Sequence, residues 1–475
     1  MDMEDDSVIT MNAEFELISR PRAIALAILL AFGNFYAGYC GAIFNPLAKP
    51  MLYNVYEMDA DKDKDKIALL EGAFNAVFSV GAMTGAFATG SLADLLGRRP
   101  LLILSEVIAL LTCLLYITKG IPYLLAARFI SGVVAGMSNI GFIIISELLP
   151  NKISGIGNTA GYIASTTAML LGFATQNILT NNQMVEYWCY LLSATAVISV
   201  LRLILFPIFL RTDTVKFQYL SSQKDEAYDR VLLVMSSVYT PKHADTAAKE
   251  AISTFNKQAE ESSVGLSSLF RTENRMRLFS GCFLAFAQQL CGINFFIYYS
   301  TAIYDSINGS GKTMTLVIGI ANFLSGFIAM ALVGRFGRKF NIVWACLLQA
   351  ISLGVLLIGI QTKQFILLAS AACVYITAFA IGLGGTYTAY LCEILPLSGV
   401  GLAVAIQWIL TAAIAQGTPI LNKTFGQYPL LSFFAATCFV LFFGLASWII
   451  ETKDKKEQQI IEKFRSSKFL PFDFS

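Results

Sequence analysis

The chain has 475 residues, of which 56% are hydrophobic and 14% charged, against roughly a quarter charged in an ordinary soluble protein. So little charge excludes a water-soluble globule, and with a mean hydropathy of +0.63 the chain needs lipid as a second solvent. A formal net charge of +2, from 34 basic and 32 acidic residues, leaves no basic face for nucleic acid and no acidic field for a cationic partner.

The N-terminus reads MDMEDDSV, acidic where a cleaved signal is basic, so the first apolar run is expected to remain as a membrane helix. Apolar stretches of about 20 residues, enough to cross ~30 Å of hydrocarbon, fall at 23–44, 67–90, 100–118, 122–148, 155–178, 187–209, 277–304, 313–333, 340–360, 365–392, 399–420 and 429–449. They predict an all-α membrane protein with twelve transmembrane helices. The only long polar segment separates two sets of six. The expected organisation is a tail (1–22), a six-helix bundle (23–209), a linker with short amphipathic helices (210–276), a second bundle (277–449) and a tail (450–475). Lys and Arg are more frequent in loops on the side of the two termini, even with the linker set aside, which predicts cytosolic termini. The sequons at Asn308 and Asn422 then fall outside.

Two motifs recur. GSLADLLGRRP follows the second span and VGRFGRKF the eighth; Glu147-Leu-Leu-Pro follows the fourth and Glu393-Ile-Leu-Pro the tenth. Gly97 to Gly337 is 240 positions and Glu147 to Glu393 is 246, so one duplication of a six-helix unit explains both. Duplicated bundles are how many transporters build two access states around a central site.

Polar residues inside apolar spans are costly and mark function. Gln288, Gln289 and Asn294 lie in FAQQLCGINFFIYYSTAIY of the seventh span. Counted from residue 277, Gln288 lies about 16 Å deep, near the midplane. Asn322 in the eighth span and Gln407 with Trp408 in the eleventh reach about 12–14 Å. Amides donate and accept, which suits a hydroxylated ligand, and an indole suits the C–H face of a pyranose ring. For any one amide a helix-to-helix hydrogen bond is an adequate explanation; four at one depth favour a ligand.

The loop after the second span resembles that of the major facilitator superfamily, and QQLCGIN followed by YYST resembles the seventh span of its sugar porters. The resemblance extends from about 23 to 453 and implies the major facilitator fold with alternating access. It implies sugar contact by Gln288, Gln289, Asn294, Asn322, Gln407 and Trp408, with Tyr162 at the fifth-helix glutamine position. It further implies an outer gate of Tyr298 and Tyr299, and a latch of Asp94, Arg98, Arg99, Glu147, Arg335, Arg338 and Glu393 on the cytosolic side.

The departures matter too. Where proton-coupled sugar porters carry an Asp in the first span, this chain has Cys40, and Arg128, matching that Asp's partner, has lost it. A thiol with an intrinsic pKa of ~8.5 carries protons poorly near neutrality. Glu106 is the one credible substitute carboxylate. Ser154 and Val400 replace expected arginines, Gly334 an acid, and TDTVK at 212–216 a conserved-type segment of that latch, so the latch is expected to be weak.

The reading is a hexose transporter of the plasma membrane working by facilitated diffusion, with a sugar substrate, the bilayer as surroundings, and no cofactor, metal, nucleic acid or obligatory protein partner. The alternatives are a proton-coupled sugar symporter, a carrier of another polar solute, and a sugar sensor that no longer transports. Nine cysteines in apolar runs read as packing residues, and His243, the single histidine, lies in the linker. No nucleophile, base or metal set lies together, so an enzyme is not expected. MDADKDKDK at 58–66 lacks the Gly and closing Glu of a calcium loop and reads as a solvated turn.

Overall fold

The structure, a computed structural model, describes residues 16–118, 120–178, 183, 186–222, 224–262, 270, 274–305, 311–333, 335–395, 397–453, 455 and 457–466. The Asn308 sequon and Gly334 lie outside them.

Among the described residues, 11 helices are long and apolar enough to cross a membrane. The helix that falls short is the fifth span, Asn151–Ile178, which has the length, at 28 residues, but carries many Gly, Ser, Thr and Asn. Its position explains that composition. The fifth span packs against the first span and against the eighth, Gly311–Val333, so both its faces meet protein and small residues let the helices approach. The outer faces of the other spans expose Leu114, Val197, Ile204, Ile366, Phe433 and Val440, a surface that lipid solvates.

Close backbone approach organises the first half. The second span, Lys64–Leu96, crosses the fourth, Ile121–Leu148, at Gly81, Gly85, Gly132 and Gly136. A Cβ at any of these would lie 2.1 Å from a carbonyl oxygen of the facing helix. These four glycines, spaced four apart on each helix, are packing residues.

Two spans are interrupted. The seventh consists of Arg275–Leu290 and Ile293–Asp305, broken at Gly292, whose φ of 91° side chains rarely adopt and which packs on the Phe434 ring. The tenth, Phe365–Ile394, contains a π-helical turn at Ala380–Gly384. Such breaks free backbone carbonyls where a polar site can use them.

The two halves meet along the second span with the eleventh, Leu397–Phe425, and along the fifth with the eighth. On the side away from the termini, the end of the first span, Phe44–Asn54, also packs on Ile293–Asp305 of the seventh. On the terminal side, Ile140–Leu148 of the fourth span and Tyr387–Ile394 of the tenth share at most a grazing contact. The far side is closed and the terminal side open.

Three helices follow the sixth span: Val215–Ser221, Lys224–Met235 and Pro241–Ser262. They do not float as surface helices, because Val231, Met235, Tyr239 and Ala248 are buried with Leu101, Ile144 and Leu148 of the first half. The Tyr239 hydroxyl donates to the Leu148 carbonyl at 3.3 Å, and backbone pairing of Ile18 with Val238 ties in the entry to the first span. A last helix, Glu457–Ser466, buries Ile460 and Phe464 against the second half, where the sequence predicts only a tail.

Candidate functional site

The break at Gly292 sets the polar groups of the seventh span to either side of one point. Gln288 and Gln289 end the first segment and Asn294 begins the second; all three are buried. The Gln289 amide donates to Gln288 Oε1 at 3.2 Å, and Asn294 donates to Gln289 Oε1 and, at 3.5 Å, to the Thr411 hydroxyl. Thr411 in turn donates to the Gln407 carbonyl at 2.9 Å. The chain Gln288–Gln289–Asn294–Thr411 therefore links the seventh and eleventh spans. Thr411 was not singled out in the sequence, although its place four residues after Gln407 puts it on the same helix face. Tyr375 braces the break by donating to the Cys291 carbonyl at 2.8 Å.

Gln407 and Trp408 are partly exposed one turn from Thr411. Asn322 and Tyr162 occupy the seam between the halves. Asn322 donates to the Met169 sulfur at 3.5 Å, and the Tyr162 ring lies where a Cβ on Gly326 would be 2.3 Å from it. The Tyr162 ring thus fills the seam between the fifth and eighth spans.

The far-side closure is polar and crosses the halves. Tyr299 donates to the Ala415 carbonyl at 2.6 Å and accepts from Asn75 of the second span at 3.4 Å. Asn45 of the first span donates to the Ile297 carbonyl at 2.8 Å and to the Ser300 hydroxyl at 2.7 Å, and accepts from the Thr301 N–H at 3.3 Å. Tyr298 is buried beside them. Asn45 and Asn75 escaped the sequence reading because an amide with no other within a turn of it has no periodic signal. Above this closure lies a cavity of about 660 Å³ with Tyr299 in its floor, and Lys423 pairs with Asp65 across the halves at its rim. Asp59 in the adjoining loop accepts from the Asp61 and Lys62 N–H groups, which hold its carboxyl below the usual range and spend it on its own turn.

On the terminal side the latch residues pair within each half. Arg98 bridges Asp94 at 2.7 Å and Glu147 at 3.2 Å; Arg338 bridges Glu393 at 2.8 Å. Asp213 accepts from the N–H groups of Arg98 and Arg99 at 3.0 and 3.3 Å, as Glu451 does from Arg338 and Lys339 at 2.8 and 3.1 Å. The segment TDTVK, expected to weaken the latch, thus keeps an acid in a working position. Arg335 contributes its carbonyl, which accepts from Lys453 at 2.8 Å.

At the coupling position, Arg128 is fully buried between the Phe44 and Phe78 rings, 4.0 and 4.4 Å from their centroids. It donates to the Cys40 carbonyl at 2.7 Å and the Phe74 carbonyl at 3.1 Å, and its Nη2 has no partner among the described residues. Glu106 is ion-paired with Arg202, both buried between the third and sixth spans. The nine cysteines are unbridged, and among the described residues no three His, Cys, Asp or Glu side chains gather as a metal site.

The sequence profile of the family described as sugar (and other) transporters matches residues 26–464. The chain belongs to that family. Relatives of this transporter include the glucose facilitated diffusion protein of Zymomonas mobilis, 26% identical over 93% of this chain and 98% of that protein. Hexose transporter 2 of Kluyveromyces lactis is 24% identical over 99% of this chain and 88% of its own length. The xylose transporter XylE of E. coli in its inward-open conformation has the same fold, with a TM-score of 0.76 and 17% identity over 92% of this chain and 99% of that one. Human organic anion transporter MFSD10 shares it more distantly, with a TM-score of 0.60 and 16% identity over 90% and 99%. The transporter is therefore a major facilitator protein whose two halves close alternately about a central site.

Proposed function

We propose that the protein moves a hexose or similar polyol down its gradient. The observation that carries this reading is the amide and hydroxyl chain from Gln288 to Thr411, set at the break of the seventh span beside Trp408. Neutral groups that both donate and accept match a ligand with many hydroxyls and no charge, and the indole adds an apolar face. The names of the Zymomonas and Kluyveromyces relatives agree with a hexose.

The passive mechanism rests on Cys40 and Arg128. No carboxylate among the described residues pairs with Arg128, so its charge has no proton-dependent partner. Glu106 is taken by Arg202 in a buried ion pair and makes none with Arg128.

In the cycle, sugar entering from the terminal side meets Gln288, Gln289, Asn294 and Gln407 while Tyr299 and Asn45 hold the far side shut. Release of those gate bonds and closure of the fourth span on the tenth would open the far side. The distribution of Lys and Arg supports a cytosolic terminal side. The test is uptake of labelled glucose into proteoliposomes. Saturable uptake competed by other hexoses, with KM raised at least tenfold by Gln289→Ala, is expected; uptake that no hexose competes would remove the proposal.

A further inference from the structure

The amide set above belongs wholly to the second half, yet a site that alternates between two sides must be gripped from both halves. Tyr162, the fifth-span candidate in the first half, fills a seam. We infer that Asn34 and Asn139 form the first-half wall of the substrate site and select a ligand hydroxyl. This rests on the sugar-transport reading proposed above.

Helix geometry directs both residues toward the second half. Asn45 on the first span reaches the seventh span. Asn34 precedes it by 11 residues, about three full turns, and so lies on the same face nearer the terminal side. Asn139 on the fourth span stands beside Asn34, because its neighbour Ser138 donates to Asn34 Oδ1 at 3.0 Å, and it is exposed. Neither helix departs from right-handed helical torsions at its weak points, Ile43 and Ser138, so the registers hold. Both asparagines therefore face the gap that opens on the terminal side.

Their hydrogen bonding is incomplete. Ser138 contacts Asn34 Oδ1 at 3.0 Å, and no partner among the described residues takes up the Asn34 amide nitrogen. Asn139 donates weakly, at 3.3 Å, to the Gly136 carbonyl one turn back, and its oxygen is unpartnered among the described residues. Asn139 is also exposed, which no lipid-facing amide at mid-helix could be without a solvation penalty. Water or ligand in the gap removes that penalty.

Space for Asn34 is built in. At Gly161 of the fifth span a Cβ would lie 2.9 Å from Asn34 Nδ2 and 2.5 Å from the Phe142 ring, so only glycine lets the amide lie there. Counted from the terminal ends of their helices, Asn139 is about 13 Å deep, Asn34 about 21 Å and Gln407 about 15 Å. One free donor and one free acceptor thus stand on the first-half side, across from the second-half amides, each able to take up a ligand hydroxyl.

The experiment measures KM for hexose uptake by the full chain in proteoliposomes, using glucose and a panel of deoxyglucoses each lacking one hydroxyl. For wild type, deletion of one or two particular hydroxyls should raise KM about tenfold. In Asn139→Ala and Asn34→Ala, KM for glucose should rise about tenfold while the penalty for deleting the corresponding hydroxyl disappears. A purely structural role would raise KM equally for every analogue and leave the pattern intact. Should the alanine variants fail to fold, Asn139→Ser and Asn34→Ser carry the same comparison. A deoxyglucose pattern identical in wild type and variants overturns this inference and leaves sugar transport standing; no saturable wild-type uptake of any hexose overturns both.

Discussion

Arg128 donates to the backbone carbonyl of Cys40 at 2.7 Å, and the position where a proton-coupled relative would answer it with a carboxylate holds a thiol. The guanidinium is held by carbonyls and two aromatic rings instead, contacts that do not change with pH near neutrality. Restoring the acid should restore pH sensitivity. Cys40→Asp is expected to make exchange of labelled sugar at equal pH on both sides vary several-fold between about pH 5 and 8, the range in which a perturbed carboxyl can titrate. The wild type should vary less than twofold.

Glu106 and Arg202 stand in a different relation, since each is the other's only charge partner among the described residues and both are buried. Glu106→Gln leaves a buried cation unanswered, at a cost of about 3–5 kcal/mol. The double change to Leu at both positions should recover most of that loss. Thermal unfolding in detergent reads both; a double variant no more stable than Glu106→Gln would mean the pair does more than neutralise itself.

Tyr299 and Asn45 hold the far side shut by unequal numbers of bonds. Tyr299→Phe loses the bond to the Ala415 carbonyl within the second half and the bond from Asn75 across the halves; at about 1 kcal/mol for the crossing bond, the outward-open fraction should rise roughly fivefold. Asn45→Ala loses three bonds and should shift it further. Spin-label distances across the far side measure the populations, and unchanged distances in both variants would show that packing alone closes that side.

Asp213 and Glu451 cap equivalent helices in the two halves without bridging them. Asp213→Ala should therefore cost about 1 kcal/mol of thermal stability, as loss of a helix cap does, and leave the distance between halves on the terminal side unchanged. A change in that distance would mean that the network reports on the partner half.

Glycines offer a contrast within one helix. Gly85→Ala forces a Cβ to within 2.1 Å of the Val133 carbonyl oxygen and should destabilise by about 2–4 kcal/mol through separation of the second and fourth spans. Gly90→Ala, with nothing within 4 Å, should be neutral or gain up to about 1 kcal/mol from helix propensity. Thermal midpoints of the two variants decide it.

The spans were legible because lipid demands long apolar runs; the seventh was expected at 277–304 and lies at Arg275–Asp305. The second, expected at 67–90, extends over Lys64–Leu96 because its polar ends continue the helix beyond the apolar core. The break of the seventh span at Gly292 was not legible, since a glycine in an apolar run reads equally as a packing site, and only the Phe434 ring against it separates the two. The amides of the seventh span stood out because three lie in one run. Asn34, Asn45, Asn75 and Asn139 did not, because none has another amide within a turn of it and each gains meaning only from what faces it. The buried faces of the linker helices were likewise hidden, for an amphipathic pattern does not name the surface it covers.

The central claim is passive transport of a sugar, and accumulation tests it most directly. Proteoliposomes loaded with no sugar, given labelled glucose at zero membrane potential with an imposed inward proton gradient, should fill until inside and outside concentrations are equal, and no further. Accumulation of label above the outside concentration, abolished by a protonophore, would contradict it.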